Sequence, residues 1–293
     1  MILAKALRWY LRSGLRGRTR LTAVATRYLT PLWSVPIRIR DCAPVYVDLR
    51  SSQAQYLLQG EPWTRAPREQ AEQDVMRRVV SRGDVVLDIG ANVGLHAVFL
   101  SSLIGPEGKL FVFEPNATLL STLRRTVRGM KNASLHAYGL SDQTGSRTLF
   151  VPADDTKASF ADWTDEAIDG KAHEAVCEQR RLDDLVREGT IAAPDFIKCD
   201  VEGAELLVFR GGQTALDRPD APIVLFEVNG HTAEGFGFAA LDAKEFLEKL
   251  PAPRYRFFEI RSDGTLPRIY TLKRWSNVLA IPESKVARFP ELQ

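Results

Sequence analysis

The residues of this chain best placed for chemistry are acids that follow short apolar runs. Val85-Val86-Leu87 leads into Asp88-Ile89-Gly90-Ala91-Asn92-Val93-Gly94, and Phe111-Val112-Phe113 leads into Glu114-Pro115-Asn116. A strand, a glycine turn, a helix and a second strand ending in an acid form a nucleotide-type βαβ unit. Gly90 allows a backbone shape closed to residues with a β-carbon, so backbone can approach a ligand closely. Glu114 can accept from both hydroxyls of a ribose and would repel a 2′-phosphate. A dinucleotide site would read G-x-G-x-x-G, with a diphosphate on the helix N-terminus. Here two glycines follow an acid, which better suits a ligand without phosphates. S-adenosylmethionine, adenosine joined to a charged amino acid, is such a ligand.

A second group of acids ends a later strand: Ile197-Lys198-Cys199-Asp200-Val201-Glu202-Gly203-Ala204-Glu205. Asp200 or Glu202 could take the proton of a substrate hydroxyl, since burial makes a carboxylate more basic. The same residues suit the cap and first turn of a helix beginning at Ala204. His231 follows the strand expected at 223–228, and an imidazole there could serve as general base. His96 reads as part of the cofactor wall or as a surface histidine. Asp88 orients the turn or accepts from an ammonium, Asn92 caps a helix or contacts the ligand, and Gly94 lets helix and strand pack closely. Asp200, Glu202, Glu227 and Asn229 are oxygen donors of the kind a divalent ion takes, yet no His or Cys spacing supports a metal, and none is assigned.

Four segments together resemble the FkbM family of methyltransferases: Asp88 to Gly94, Phe113-Glu114-Pro115-Asn116, Ile197 to Glu205, and the closing Asn277-Val278-Leu279-Ala280. The resemblance spans about residues 70–282 and leaves the first 40 outside. It implies S-adenosylmethionine as cofactor and methylation of a hydroxyl on a sugar, a glycan or a small natural product. Ser141-Asp142 stands where such enzymes often place a polar group near the adenine amine, although Asp142 also suits a turn ending at Gly145. The expected cofactor set is Asp88, Gly90, Ala91, Asn92, Gly94, Glu114, Pro115, Asn116, Ser141 and Asp142. The catalytic candidates are Asp200, Glu202 and His231. Two other readings are a non-catalytic cofactor-binding scaffold and an NAD-type oxidoreductase, the latter disfavoured by the missing third glycine.

Alternating elements must position these residues. Strands are expected at 85–88, 110–114, 135–138, 195–200, 223–228, 255–260 and 277–281, and helices at 69–82, 94–103, 117–128, 204–210 and 241–250. Apolar, unpatterned strands between helices predict an α/β fold: a doubly wound, mostly parallel seven-stranded sheet with helices on both faces, as in class I methyltransferases. Between 141 and 182 the alternation pauses, with strand-like pieces at 147–151 and 175–180. This insertion either shapes the substrate site or forms a plain surface hairpin. Three regions are expected: a partly helical basic arm (1–40), lead-in strands and loops (41–69), and the cofactor-binding domain (70–293).

Apolar residues at 45 % and charged residues at 26 % of 293 describe an ordinary globular protein. The net charge of +2 conceals an asymmetry: residues 1–40 hold nine basic groups and no acid, leaving −7 for the rest. Ile2, Leu3, Ala6, Leu7, Tyr10 and Leu11 recur at helical spacing among those cations. The arm could lie on an anionic membrane, or pack on the body or on a partner subunit in a homo-oligomer. An acidic body with no recognisable nucleic-acid module disfavours nucleic acid. Cys42, Cys177 and Cys199 suggest neither a disulfide framework nor a zinc site. No run reaches the ~18–20 apolar residues of a membrane span. Arg8, Arg12 and Arg16 interrupt any leader-like apolar core. The expected location is therefore cytoplasmic, with contact at the inner membrane surface.

Overall fold

A computed structural model describes residues 9–10, 34–39, 41–51, 54, 57, 67–165, 171–269 and 275–290. The amphipathic reading of the basic arm falls almost wholly outside these residues. The chain begins with a hairpin of β1 (Ser34–Ile37) and β2 (Val45–Asp48), followed by α1 (Pro67–Val79). The alternation then runs β3 (Val85–Ile89), α2 (Leu95–Ile104), β4 (Lys109–Phe113), α3 (Ala117–Val127) and β5 (Ala133–His136). The insertion supplies β6 (Gly139–Leu140), β7 (Gly145–Val151) and β8 (His173–Arg180), then α4 (Leu182–Arg187). After it come β9 (Phe196–Cys199), α5 (Glu205–Gly211), α6 (Gln213–Leu216), β10 (Ile223–Asn229), α7 (Gly230–Glu234) and α8 (Asp242–Glu248). The last elements are β11 (Arg256–Ile260), β12 (Trp275–Ile281) and α9 (Glu283–Val286).

Seven strands form one sheet in the order β11-β12-β10-β9-β3-β4-β5. All neighbours are parallel except β12, which runs antiparallel to β10 and β11. The expected doubly wound architecture is present. Successive side chains of each strand enter different cores, which is why the strands read as continuous apolar runs. Val86, Val112, Phe196 and Leu225 pack with α1, α2 and α3, while Leu87, Phe113, Ile197 and Phe226 pack with α4, α5 and α6. From β3 the chain winds outward to β4 and β5, then returns on the other side through β9 and β10. A ligand crevice opens beyond the carboxyl ends of β3 and β9, where the winding reverses.

The lead-in hairpin joins the first of these cores through Val45, Val47 and Leu49. Tyr46 N donates to Thr126 Oγ1 on α3 at 2.9 Å, and the Arg125 guanidinium covers the Tyr46 ring at 4.5 Å. The short helices α4, α6, α7 and α9, of four to six residues, were not expected, because so few turns show no period. Among the described residues no helix is long and apolar enough to cross a membrane.

Candidate active site

Contacts with neighbouring backbone fix the turn after β3. Gly90 has a φ of +79°, and a β-carbon on it would lie 1.8 Å from the Asp200 carbonyl oxygen. The close approach that requires glycine is therefore to the loop after β9 rather than to a ligand. Gly94 has a φ of +87°, and a β-carbon there would meet Leu123 and Thr126. It thus packs the start of α2 against α3, a helix where a strand was expected. The N–H groups of Gly90 and Ala91 both donate to Phe113 O, at 3.1 and 3.0 Å, joining this turn to the end of β4.

Glu114 sits beside that junction. Its Oε2 accepts from Asn92 N and its Oε1 from Asn116 N, each at 2.8 Å. A carboxylate has about four acceptor sites, so two backbone donors orient it and leave capacity for further hydroxyls. Burial raises its pKa to about 7 against the opposing effect of those donors. Asn92 adopts a φ of +56°, sends Nδ2 to Thr156 O at 3.2 Å, and does not cap α2, whose N-cap is Gly94. Its Oδ1 is buried with no hydrogen-bond partner among the described residues. Asn116 caps α3, accepting from Thr118 N at 3.1 Å, and ties the insertion down by donating to Asp155 O at 2.8 Å.

These elements line an open cleft of about 240 Å³. Gly90, Ala91, Asn92, Glu114, Pro115, Asp200 and Glu202 line it, as do Phe113, Leu140, Leu149 and Phe160. The insertion is a hairpin, β7 pairing antiparallel with β8. The segment after β7 folds back through paired Phe150 and Ser159, and its residues 155, 156 and 158–160 form part of the cleft wall. The insertion is therefore a hairpin, but not a plain surface one, because its returning segment walls the cleft.

Asp88, Gly94, Asn116, Ser141, Asp142 and His231 lie outside the lining. Asp88 is fully buried, neither of its oxygens receives a hydrogen bond from the described residues, and Lys198 Nζ is 3.9 Å away. Burial raises its pKa to about 6, with Lys198 opposing. Ser141 is buried against α5, where a β-carbon on Gly211 would lie 1.9 Å from its carbonyl oxygen. Its hydroxyl accepts from Arg147 at 3.3 Å and donates to Asp142 Oδ1 at 3.2 Å. This pair therefore joins the insertion to the body. His231 is exposed on α7, which Asn229 caps, and its ring meets Trp163 edge-on at 5.6 Å.

On the acid side, Asp200 keeps 45 % side-chain exposure while the side chain of its partner Lys198 keeps 3 %. Burial would raise the Asp200 pKa, but Lys198 Nζ at 3.1 Å outweighs it and holds the carboxyl below its ordinary range. Glu202, at a φ of +52°, is pushed well above its ordinary range by burial, then by the charges of Asp200, Glu227 and Glu205. Ser159 Oγ donates to the Glu202 carbonyl at 2.8 Å, tying the insertion to this loop. Glu205 is buried and accepts from Val201 N at 3.0 Å, bracing the loop from within.

Sequence reasoning missed Lys198, Glu69 and Glu72, and placed His96 only as one alternative. Lys198 and His96 line the cleft, as does Glu69. A lysine within the apolar run Phe196-Ile197-Lys198-Cys199 was the readable signal, because a buried cation requires partners. Among the described residues no group of three or more His, Cys, Asp or Glu side chains is arranged to hold a metal.

The cleft suits a nucleoside with a polar tail. The oriented Glu114 carboxylate can accept from hydroxyl-bearing groups, while Phe113, Leu140, Leu149 and Phe160 offer apolar surface to a flat base. A family profile described as the methyltransferase FkbM domain matches residues 88–257. The hexuronic acid methyltransferase AglP of Haloferax volcanii is 28 % identical over 193 residues, covering 62 % of this chain and 74 % of that protein. The 2-O-methyltransferase NoeI of Sinorhizobium fredii is 32 % identical over 146 residues, 46 % of this chain and 59 % of that protein. The 31-O-demethyl-FK506 methyltransferase FkbM of Streptomyces tacrolimicus is 29 % identical over 179 residues, 52 % and 67 % respectively.

Proposed function

The chain belongs to the FkbM family of methyltransferases, and on that premise we propose that it methylates a hydroxyl of a sugar, a glycan or a small natural product. As an S-adenosylmethionine-dependent methyltransferase it needs two sites in one cleft, one for the donor and one for an acceptor oxygen. The donor supplies an electrophilic sulfonium methyl. The observation that carries the reading is Glu114, a carboxylate held by the N–H groups of Asn92 and Asn116 on the wall of the cleft. Glu114 and Asn92 would hold the ribose, and Phe113, Leu140, Leu149 and Phe160 would cover the adenine. Asp200 and Glu202 stand on the β9 side, where Asp200 would fix an acceptor hydroxyl by accepting its hydrogen bond. The relatives named for a hexuronic acid and for 2-O-methylation support a sugar hydroxyl as acceptor.

The charge asymmetry supports a cytoplasmic protein that touches an anionic membrane surface through residues 1–40. Two measurements test the enzymatic reading: calorimetry with S-adenosylhomocysteine and with NAD, and transfer of labelled methyl to glucuronic acid and p-nitrophenyl glucuronide. Binding of S-adenosylhomocysteine alone and a 14-dalton gain on a sugar acceptor are expected. Binding of NAD without S-adenosylhomocysteine would overturn the proposal.

A further inference from the structure

Beside the cleft, aromatic rings and guanidinium groups alternate in one line of contacts. Phe160, from the segment that folds back after β7, belongs to the cleft wall. Arg147 on β7 shares a strand face with Leu149, another wall residue, because side chains two apart point the same way. The Arg147 guanidinium lies 5.0 Å from the centre of the Phe160 ring and 6.0 Å from that of Phe236. Phe236 stacks on Phe238, with ring centres 5.7 Å apart and planes within 8°. The Arg210 guanidinium ends the line, 5.6 Å from the Phe238 ring.

Local structure sets the direction of this line. Gly237, at a φ of +74°, turns the chain between the two phenylalanines. The loop that carries them follows α7, which presses on the acid-bearing loop after β9: a β-carbon on Gly203 would lie 2.5 Å from Thr232 main chain. The insertion meets the same loop, since a β-carbon on Gly235 would lie 2.8 Å from that of Trp163. The line therefore starts at the cleft wall and leaves on the side of Glu202.

Neither guanidinium has a carboxylate within ion-pair distance among the described residues. Arg147 donates only to Ser141 Oγ and Gln179 Oε1, at 3.3 and 3.5 Å, and Arg210 is exposed. A guanidinium carries five N–H donors in a planar fork that matches a carboxylate, and resting on a ring orients that fork in advance. Phe160, Phe236 and Phe238 are all partly exposed, and such rings offer apolar surface to the C–H face of a pyranose. At the start of the line, Asp200 and Glu202 suit hydroxyl groups, which donate to carboxylates, and not phosphates, which do not.

We propose that this line is a subsite for an acidic oligosaccharide. The sugar to be methylated enters the cleft, and the next units lie along Phe236 and Phe238 with their carboxylates paired to Arg147 and Arg210. This rests on the sugar-methyltransferase reading above and specifies its acceptor as an acidic chain.

The test uses the full chain saturated with S-adenosylhomocysteine, and calorimetry with tetragalacturonate, galacturonic acid and cellotetraose, a neutral chain of the same length. Tetragalacturonate is expected to bind at least about ten-fold more tightly than the other two, and to weaken as salt rises from ~0.05 to ~0.5 M. Arg210→Glu, at an exposed position, should weaken tetragalacturonate about ten-fold while galacturonic acid stays within about two-fold. Arg147→Met should act in the same way. Arg147→Lys serves if the methionine variant lacks a cooperative melt, and should restore only part of the affinity because an ammonium lacks the fork. Equal affinity for tetragalacturonate and cellotetraose overturns the subsite, as does wild-type affinity in Arg210→Glu. Tighter binding of oligouridylate than of tetragalacturonate overturns it in favour of a nucleic acid. Binding of S-adenosylhomocysteine without tetragalacturonate also overturns it and leaves the donor site standing. Failure of S-adenosylhomocysteine to bind counts against the methyltransferase reading, and the same sugar titrations on the unliganded chain then decide the subsite.

Discussion

Gly90 and Asp200 meet backbone to backbone: a β-carbon on Gly90 would stand 1.8 Å from the Asp200 carbonyl oxygen. The donor turn and the acid-bearing loop are therefore one mechanical unit, and neither can move without the other. Gly90→Ala is expected to destabilise the protein by more than ~3 kcal/mol, through a positive φ and a clash with main chain that cannot rotate away. Gly189→Ala is the control, because Gly189 has a φ of +70° with nothing within 4 Å of an added β-carbon. It should lose only ~1 kcal/mol in the same urea titration.

Glu114 has a double task, holding two backbone N–H groups and facing the cleft. Glu114→Ala leaves both donors short of a partner, for a loss of about 1–3 kcal/mol. Glu114→Gln keeps an acceptor but turns an amide NH₂ toward one of the donors. Calorimetry should show S-adenosylhomocysteine binding weakened at least ten-fold in both, with the melting temperature falling more in the alanine variant.

Lys198 is a buried cation serving Asp88 and Asp200 together. Lys198→Met strands a fully buried Asp88 carboxyl and is expected to lose about 3–5 kcal/mol. Adding Asp88→Asn removes the stranded charge, so the double variant should recover at least about 1 kcal/mol relative to additivity. A double-mutant cycle in urea measures the coupling.

The Glu205 pKa is raised to about 8, foremost by burial. A carboxyl with a raised native pKa is held protonated longer in the folded state than in the unfolded chain. Its contribution is complete below the unfolded value and is lost as pH rises through the folded one. Gln has no proton to lose. The stability difference between Glu205→Gln and wild type should therefore move in favour of glutamine between pH 5 and pH 9, read from melting temperatures at matched ionic strength.

The nine cations of residues 1–40 set the last expectation. Deleting residues 1–33 should leave S-adenosylhomocysteine binding unchanged and reduce sedimentation with phosphatidylserine vesicles. The difference should shrink at high salt, where the Debye length falls to ~3 Å at 1 M. Equal sedimentation of both forms would remove the membrane contact.

Much of the fold was legible because the core strands are short and mostly apolar and glycine or polar turns separate them from the helices. Val85 to Asp88 and Ile223 to Val228 could be placed within a residue or two of β3 and β10. The turn residues Gly90, Asn92 and Glu114 were recognisable because local chemistry marks them: glycine where φ is positive, an acid where a strand ends. Their neighbours were harder. Ser141, Asp142 and His231 have the right types near strand ends, but Ser141 and Asp142 join the insertion to α5 and His231 turns to solvent on a helix too short to show a period.

By itself, then, the sequence determined the order of elements, the nucleoside-type turn and the family, since each depends on residues close together along the chain. Tertiary structure decided which side chains share the cleft. Asn277, Glu72 and His96 come from β12, α1 and α2, up to 205 positions apart, and meet only because the sheet places those elements side by side. The same holds for Lys198 between Asp88 and Asp200. Burial shifts a carboxyl's or an imidazole's affinity for protons, neighbouring charges add to or oppose that shift, and no local pattern names either the burial or the neighbour.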